Sequence, residues 1–272
     1  MSHSTNDRAN AGDWVLVTGA AHRLGREICL AFAAAGWNVL CHYRASQAGA
    51  RDTQAAVQAL GRACLLVQAD LAQPQAGTQL LDHCVALTGQ APRCIVNNAS
   101  IFEADDARTA SAQGLVRHFL TNTATPLLLG NALHAWLCAQ GRPATGMYSV
   151  VHVLDQKVHN LNPDYFSYTV SKLALERSVQ LQAQALAPHV RVCGLSPGLI
   201  YLSGPQTQDN FDRAAQVNLL RRRIEPADVA RCAVFIAGNA SLNGCTLQAD
   251  NGQHLVPLER DVMFTIKDNP RP

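Results

Sequence analysis

Residues 15–25 read VLVTGAAHRLG, and this stretch decides the fold. Its first four residues have the apolar character of a short buried strand, and Gly19 follows at once. In the residues beyond it, the spacing of Leu24 and Ile28 suits an amphipathic helix. A strand, a glycine turn and a helix start can bind phosphate together, because glycine lets the backbone approach the anion and the helix end offers free N–H groups. The stretch therefore predicts a phosphate-binding element.

The composition describes a protein with a sizeable core and little net charge. Of the 272 residues, 48% are hydrophobic and 15% charged, and the net charge is +2. Neither nucleic acid nor a membrane is therefore an expected partner. No apolar run approaches the ~20 residues that cross a bilayer. The first dozen residues are polar and lack the apolar segment of a signal peptide, which predicts a disordered tail over 1–12 and a cytoplasmic protein.

Strand-like and helix-like segments alternate along the whole chain. After the first strand, apolar runs at 37–43, 63–68, 94–96, 147–153, 190–195 and 245–248 have strand character. This alternation predicts an α/β fold, a single Rossmann-type doubly wound parallel sheet of about seven strands with helices on both faces. A long helix is predicted over 115–136, with Leu115, Phe119, Asn122 and Leu127 along one side and a kink near Pro126.

The cysteines and histidines give no sign of a disulfide framework or a metal site. None of the nine cysteines forms a C-x-x-C pair, their number is odd, and the ten histidines show no ligand spacing. Small buried hydrophobic residues in a reducing compartment are the expected state of these cysteines. No metal is predicted.

The end of the second predicted strand indicates which cofactor binds. Residues 42–46 read HYRAS and include no acid. An NAD site would place Asp or Glu here to accept hydrogen bonds from the ribose hydroxyls. An arginine and a hydroxyl can instead hold a 2′-phosphate. We therefore predict NADP(H), with His42, Tyr43, Arg44 and Ser46 at the cofactor; the alternative is an exposed Arg44 at a helix start.

Tyr168 and Lys172 stand four residues apart on a predicted helix, so their side chains share one face. A phenol with a pKa near 10 is a poor acid or base at neutral pH. A nearby ammonium group would stabilise the phenolate and lower that pKa. The lysine can also hold a nicotinamide ribose. A Tyr-x3-Lys pair is common by chance, and here its order after 18–25 and 97–99 gives it weight.

Three motifs together resemble the short-chain dehydrogenase/reductase family: Thr-Gly-x3-Arg-Leu-Gly at 18–25, Asn-Asn-Ala at 97–99 and Tyr-x3-Lys at 168–172. The resemblance covers about 13–256, with a variable substrate flap at about 199–222 and a C-terminal tail over 257–272, and it implies a homotetramer. By position it also places Gly19, Leu24, Asp70, Leu71, Asn98, Ala99, Pro197 and Gly198 at the cofactor, and Asn122 at a water of a proton relay. Asp70 as a helix N-cap and Asn122 as a polar neighbour remain open.

Four departures from the usual family pattern resemble its pteridine reductase branch. Arg23 replaces a glycine, Ser100 and Phe102 follow Asn-Asn-Ala, and Asp155 stands thirteen residues before Tyr168, where serine is usual. The resemblance implies that Arg23 and Ser100 contact the cofactor and the pterin, that Phe102 stacks on the pterin, and that Asp155 relays protons with Tyr168. The simpler alternatives are a surface arginine, a loop anchor and a turn residue.

The resemblance implies NADPH-dependent reduction of a dihydropterin (dihydromonapterin, dihydrobiopterin or dihydrofolate) to its tetrahydro form. Tyr168, Lys172, Asn122 and Asp155 would be the catalytic set. One alternative is a short-chain reductase of an unrelated carbonyl or enoyl substrate. Another is an NADP-binding regulatory protein without turnover, which the Tyr168, Lys172 and Asn122 set opposes.

Overall fold

Seven parallel strands form one sheet, in the order β3-β2-β1-β4-β5-β6-β7, in the computed structural model, which describes residues 12–204 and 206–266. The strands are β1 Trp14–Val17, β2 Asn38–Tyr43, β3 Cys64–Gln68, β4 Cys94–Asn97, β5 Tyr148–Val153, β6 Val190–Pro197 and β7 Thr246–Ala249. The strand order reverses at β1, which pairs with β2 on one side and β4 on the other. Ligands of such sheets bind at the carboxyl edge beside this reversal.

Helices cover both faces of the sheet. They are α1 Arg23–Ala34, α2 Gln47–Ala59, α3 Ala76–Thr88, α4 Ala112–Phe119, α5 Thr125–Ala139, α6 Phe166–Leu186, α7 Gln208–Ala214, α8 Pro226–Gly238 and α9 Val262–Thr265. One core cluster includes Ile28 and Phe32 of α1 with Val229 of α8. A second includes Leu80 of α3 and Leu133 of α5. The two clusters lie on opposite faces, as a doubly wound fold requires.

The predicted fold class is confirmed, and the strand ends agree with the prediction to within two residues. The reason is burial on both faces of the sheet, which makes parallel strands continuous apolar runs. All six residues of β2 are buried, as are Val15, Leu16 and Val17 of β1.

The helix predicted over 115–136 is present and runs from residue 112 to 139, but a π turn interrupts it. A π turn, Leu120–Ala124, separates α4 from α5, and the Thr125 N–H bonds to the Leu120 carbonyl, five residues back. Pro126 lies in the first turn of α5 and has no N–H to continue the α-helical pattern. The extra residue changes the rotation of the helix, and Phe119 is 47% exposed while Asn122, predicted on the same side, is buried.

The segments outside the sheet also differ from expectation in places. The predicted tail over 1–12 lies outside the described residues except for residue 12. Of the C-terminal tail, residues 257–266 are described, and they pack on the chain's own substrate side instead of leaving it. All nine cysteines are free, as predicted, but Cys138 and Cys245 are exposed and not buried. Among the described residues, none of the helices has the length and apolar character needed to span a membrane.

Candidate active site

A cleft of about 650 Å³ opens at the carboxyl edge of the sheet. It collects every residue predicted at the cofactor or the substrate, although they are spread over some 180 positions of the chain. Asn122, predicted as a catalytic residue, does not line it. The predicted residues that line the cleft are Gly19, Arg23, Leu24, His42, Tyr43, Arg44, Ser46, Asp70, Leu71, Asn98, Ala99, Ser100, Phe102, Asp155, Tyr168, Lys172, Pro197 and Gly198.

The glycine turn is fixed by close packing and by Asn98. Gly19 has a φ of +64°, and a Cβ there would lie 2.9 Å from the Ala99 Cα. A Cβ on Gly25 would lie 2.2 Å from the Gly19 carbonyl oxygen. The Asn98 side chain donates to the Thr18 and Gly19 carbonyls at 2.9 and 3.2 Å. Asn98 therefore holds the turn in shape, which is a positioning role beside the predicted cofactor site.

The start of α1 suits an anion. No side-chain hydrogen bond caps this helix, and its first turn contains no acidic residue. The N–H groups of a helix start and its positive dipole end favour a phosphate. Arg23 itself has a φ of +50°, and its guanidinium donates to the Leu202 carbonyl at 3.2 Å, across the cleft mouth. Arg23 thus lines the cleft and is not an isolated surface arginine.

His42 does a different job from the one predicted. It is buried, its Nδ1 accepts from the Gly19 N–H at 3.1 Å, and its Nε2 lies 3.1 Å from the Ala69 carbonyl. Burial lowers the pKa of His42 to about 4, so the ring is neutral at physiological pH. A neutral ring with one accepting and one donating nitrogen satisfies both contacts. His42 therefore links the glycine turn to the end of β3, although it also borders the cleft.

The predicted 2′-phosphate end includes a residue that the sequence analysis missed. Arg44 is exposed at the cleft, and its backbone carbonyl accepts from Gln68 at 2.9 Å. The Ser46 hydroxyl lies 2.6 Å from Nε2 of His22, which also lines the cleft. A Cβ on Gly49 would lie 2.0 Å from the His22 ring, so the glycine leaves room for the ring in this position. Its position in the sequence, within the glycine turn, could have predicted that His22 lies at the cleft.

Asp70 serves the backbone after β3. Its Oδ1 accepts from the Ala72 N–H at 3.1 Å, and α3 begins only at residue 76. The proposed alternative, a helix N-cap, is therefore not its role here. Leu71 is buried, and its carbonyl accepts from Thr125 at 2.8 Å.

The buried Tyr168 and the half-buried Asp155 form a pair that lines the cleft. The phenol donates to Asp155 Oδ2 at 2.7 Å, and Asp155 Oδ1 accepts from the Lys157 N–H at 2.9 Å. Burial raises the pKa of Asp155. Burial, and then the nearby Asp155 charge, raise the pKa of Tyr168 well above its usual value. The pair therefore retains a proton at neutral pH.

Lys172 does not lower the pKa of Tyr168 as predicted, because burial and Asp155 act in the opposite direction. Its Nζ donates to the Val153 carbonyl at 2.6 Å and lies 5.9 Å from the centre of the Tyr168 ring. Burial lowers the pKa of Lys172 to about 8. An ammonium has three donors, so two remain for a bound ribose or water.

Asn122 acts on the cleft through its neighbours. Its Oδ1 accepts from the Ile101 N–H at 2.9 Å and from the Ser100 hydroxyl at 3.2 Å, and its Nδ2 donates to Ser171 at 3.0 Å. The π turn places this side chain between the loop after β4 and helix α6. The predicted relay water at Asn122 stays a prediction.

Aromatic rings line the substrate side of the cleft. Phe102 stacks on Tyr165 at 3.9 Å between ring centres and meets Tyr168 edge to face at 4.7 Å. Phe102 is 36% exposed and Tyr165 is buried. Phe102 is thus a half-exposed member of an aromatic wall. The sequence analysis did not predict Tyr165 as part of the site, because nothing in the sequence showed that residue 165 lies next to residue 102 in the fold.

A buried charge pair ties the C-terminal segment to this wall. Lys157 Nζ donates to Asp261 at 3.0 Å and to Asn162 at 2.6 Å. Arg260 makes a bidentate pair with Asp164, with N–O distances of 2.7 to 2.9 Å. Residues 261–263 line the cleft as a result. This wall was also missed, since its partners lie about a hundred residues apart.

Gln156 adds an unused acceptor. It follows Asp155 and lines the cleft, and its buried Oε1 has no hydrogen-bond partner among the described residues. A buried acceptor of this kind is costly unless a ligand or water meets it.

The chain belongs to the short-chain dehydrogenase/reductase family: the family model described as Enoyl-(Acyl carrier protein) reductase matches residues 19–254. A Mycobacterium tuberculosis protein described as an uncharacterized oxidoreductase is 31% identical over 253 residues, covering 87% of this chain and 90% of the relative. The protein is thus a short-chain oxidoreductase, as predicted.

Within the family, the chain is similar to enzymes of pterin and folate reduction. The dihydromonapterin reductase of Citrobacter koseri is 25% identical, with 89% of this chain and 96% of that protein covered. The structure of FolM alternative dihydrofolate reductase 1 from Brucella canis, complexed with NADP, matches with a TM-score of 0.82 and 33% identity, covering 90% of this chain and 95% of the other. The NADP(H) prediction and the predicted branch agree with these relatives.

Proposed function

We propose that the protein uses NADPH to reduce a dihydropterin, such as dihydromonapterin, dihydrobiopterin or dihydrofolate, to the tetrahydro form. The observation that carries the proposal is the Tyr168–Asp155 pair, joined at 2.7 Å beside the half-exposed ring of Phe102. A flat heterocycle with ring nitrogens needs a stacking surface and a proton source, and the cleft offers both. The pterin and folate reductases among its relatives support the same choice.

The residues present fit NADPH. The uncapped start of α1 suits the pyrophosphate, and Arg44 with Ser46 suits a 2′-phosphate at the end of a strand that has no acid. Lys172 would hold the nicotinamide ribose with its remaining donors, and Pro197 and Gly198, which line the cleft, would lie beside the nicotinamide. The bound cofactor supplies a hydride to a carbon of the substrate C=N bond.

Tyr168 supplies the proton in this mechanism. Reduction of C=N forms a C–H bond from the hydride and an N–H bond from a proton, so the protein must act as an acid. The raised pKa values of Tyr168 and Asp155 favour proton retention until the substrate nitrogen gains electron density. The proton passes from the Tyr168 hydroxyl to nitrogen, directly or through water, while Asp155 orients that hydroxyl, and solvent then returns a proton to the phenolate.

Substrate orientation follows from the walls. Phe102 would stack on the ring, and Arg23 and Ser100 would border the ring and the phosphates. A hydroxyl at position 155 would hold a ketone oxygen by donation. An ionised carboxylate there cannot donate, which disfavours ketones.

Comparison of substrates tests the proposal. We expect NADPH oxidation with 7,8-dihydromonapterin, dihydrobiopterin or dihydrofolate, and little with NADH in place of NADPH. A simple ketone and an enoyl thioester serve as controls for the second candidate, a carbonyl or enoyl reductase, which the description of the matched family model favours. Oxidation with a ketone or an enoyl thioester, and none with any dihydropterin, would reject the proposal in favour of that candidate.

We further propose a homotetramer in the cytoplasm. Val116 and Phe119 of α4, with Val170 and Leu181 of α6, expose apolar side chains on two helices that pack together. Exposed apolar surface of this kind favours association. Nine free cysteines suit a reducing compartment.

A further inference from the structure

Three side chains with metal-binding atoms meet at the edge of the sheet opposite the cleft. His134 and Cys138 lie one turn apart near the C-terminal end of α5, and His189 lies just before β6. The crossover helices run antiparallel to the strands, so the end of α5 and the start of β6 both lie at the amino edge. The cleft lies at the carboxyl edge, so this group is separate from the reaction.

The geometry of the group is close to that of a metal site. The nitrogen and sulfur ligand atoms of the three residues all lie within 4.8 Å of one another. Cys138 Sγ is 3.7 Å from His134 Nε2. Ligands at about 2.3 Å (sulfur) and about 2.0 Å (nitrogen) from a tetrahedral ion are about 3.6 Å apart. One edge of the tetrahedron is therefore already in place.

The third ligand needs only a small adjustment. The rings of His134 and His189 meet edge to face at 5.4 Å between centres, a separation that side-chain rotation can shorten. The His189 ring has no hydrogen-bond partner among the described residues, so no contact must break. His134 and His189 are partly exposed and Cys138 is exposed, so an ion can reach them from solvent.

We propose that His134, Cys138 and His189 bind Zn²⁺ or a similar divalent transition metal, with water as the fourth ligand. One thiolate and two imidazoles are the donor types that zinc prefers. The ion would join the end of α5 to the turn between α6 and β6. It would stabilise the amino edge of the sheet and leave the reaction at the other edge unchanged.

Cobalt titration tests the proposal directly. Co²⁺ binds at zinc sites, and its absorption spectrum shows which ligands surround it. The probe is the full-length protein, freed of metal with a chelator, kept reduced and then titrated with Co²⁺. We expect one equivalent bound, with a thiolate-to-cobalt charge-transfer band and the visible bands of a tetrahedral ion. Added Zn²⁺ should displace the Co²⁺, and both the charge-transfer band and the visible bands should then disappear.

Matched variants assign the ligands. Cys138→Ser should abolish the charge-transfer band, and His189→Ala should weaken Co²⁺ binding at least tenfold. Cys245→Ser and His83→Ala change an exposed cysteine and an exposed histidine elsewhere, and both should bind as the unaltered protein does. An unaltered protein that shows no charge-transfer band, or a Cys138→Ser variant that binds Co²⁺ equally well, would overturn the proposal.

Thermal unfolding gives an independent measurement. Added Zn²⁺ should raise the Tm of the unaltered protein and of Cys245→Ser, because a ligand that binds the folded state stabilises it. It should leave the Tm of Cys138→Ser unchanged. An equal rise in Cys138→Ser would show that zinc binds elsewhere and would also overturn the proposal.

Discussion

Asp155 gives the cleft its particular chemistry at the scale of single residues. Most of its contacts come from its own neighbourhood: the Lys157 N–H and the Tyr168 hydroxyl. Its burial raises its pKa, and its charge in turn raises that of Tyr168. A serine at this position would have no such effect on the phenol. The residue identities alone predicted the pair, whereas the sense of the pKa shift needed the burial that only the fold provides.

The Tyr168–Asp155 pair gives the first prediction. Tyr168→Phe and Asp155→Asn should each lower kcat for dihydropterin reduction by about 10²-fold or more, because the first removes the proton donor and the second removes the carboxylate that orients it. NADPH binding should change little. Steady-state kinetics and a fluorescence titration with NADPH measure the two effects.

Tyr148→Phe is the matched control for Tyr168→Phe, since Tyr148 begins β5 at the opposite edge of the sheet. It should retain full activity. Retention of most of the activity in both Tyr168→Phe and Asp155→Asn would remove the pair from the mechanism.

The pH dependence of the reaction follows from Lys172. Burial lowers its pKa to about 8, so its positive charge is nearly complete well below pH 8 and is lost as the pH rises through that value. An amine holds a ribose less firmly than an ammonium, so kcat/KM should fall above about pH 8, well before the pKa of about 10.4 of a free lysine. A pH profile of kcat/KM for NADPH measures this effect.

Lys172→Arg is the comparison, because a guanidinium stays charged throughout this range. Its profile should lack the decline near pH 8, even if its rate is lower. A decline at the same pH in both proteins would assign it to another group.

The elements divide into those that the sequence predicted and those that it did not. Strands and their flanking helices have local signatures, namely apolar runs and a spacing of three to four residues, and these predictions were close. The π turn of Leu120–Ala124 has no such signature, since it arises from Pro126 and from the contacts of Asn122 with Ile101 and Ser171. The C-terminal wall depends on pairs a hundred residues apart, which one sequence does not reveal.

The C-terminal segment gives the prediction at the scale of elements. Asp261→Asn removes the carboxylate that faces the buried Lys157, and an unpaired buried ammonium is costly. The segment should loosen, and KM for the dihydropterin should rise roughly fivefold or more, equivalent to about 1 kcal/mol. The Kd for NADPH should stay nearly constant.

Asp228→Asn is the control, because it removes the exposed partner of Arg231 on α8. This substitution should change neither the KM for the dihydropterin nor the Kd for NADPH. An unchanged KM in Asp261→Asn would mean that the segment does not touch the substrate, and an equal rise in both constants would indicate general loosening.

The molecule as a whole presents a cleft at one edge, a metal-binding group at the other and an apolar helical face on its side. Leu181 on α6 is 67% exposed and Phe119 on α4 is 47% exposed. Exposed apolar side chains on adjoining helices are more typical of an interface than of a free surface. The sequence did not predict this face, because it placed Phe119 on one side of a long helix without indicating what that side would contact.

Association of the chain gives the prediction at this scale. Phe119→Glu places a charge in the centre of the proposed interface and should shift the protein from a tetramer to smaller species in light scattering. Leu60→Glu is the matched control, since Leu60 is 49% exposed at the end of α2. A monomeric unaltered protein, or a tetramer that tolerates Phe119→Glu, would contradict the proposed assembly.

The aromatic and charged wall of the cleft is assembled from three distant stretches, around Phe102, Tyr165 and Met263, whereas the glycine turn is held by a different set of residues, His42 and Asn98. Substitutions in the wall of the cleft can therefore accumulate independently of substitutions at the glycine turn. A few mutations near residues 260–264 could retune which molecules are turned over while the dinucleotide stays in place. Enzymes with new substrates could therefore evolve from this fold by substitutions in the substrate-side wall, while coenzyme binding is retained throughout.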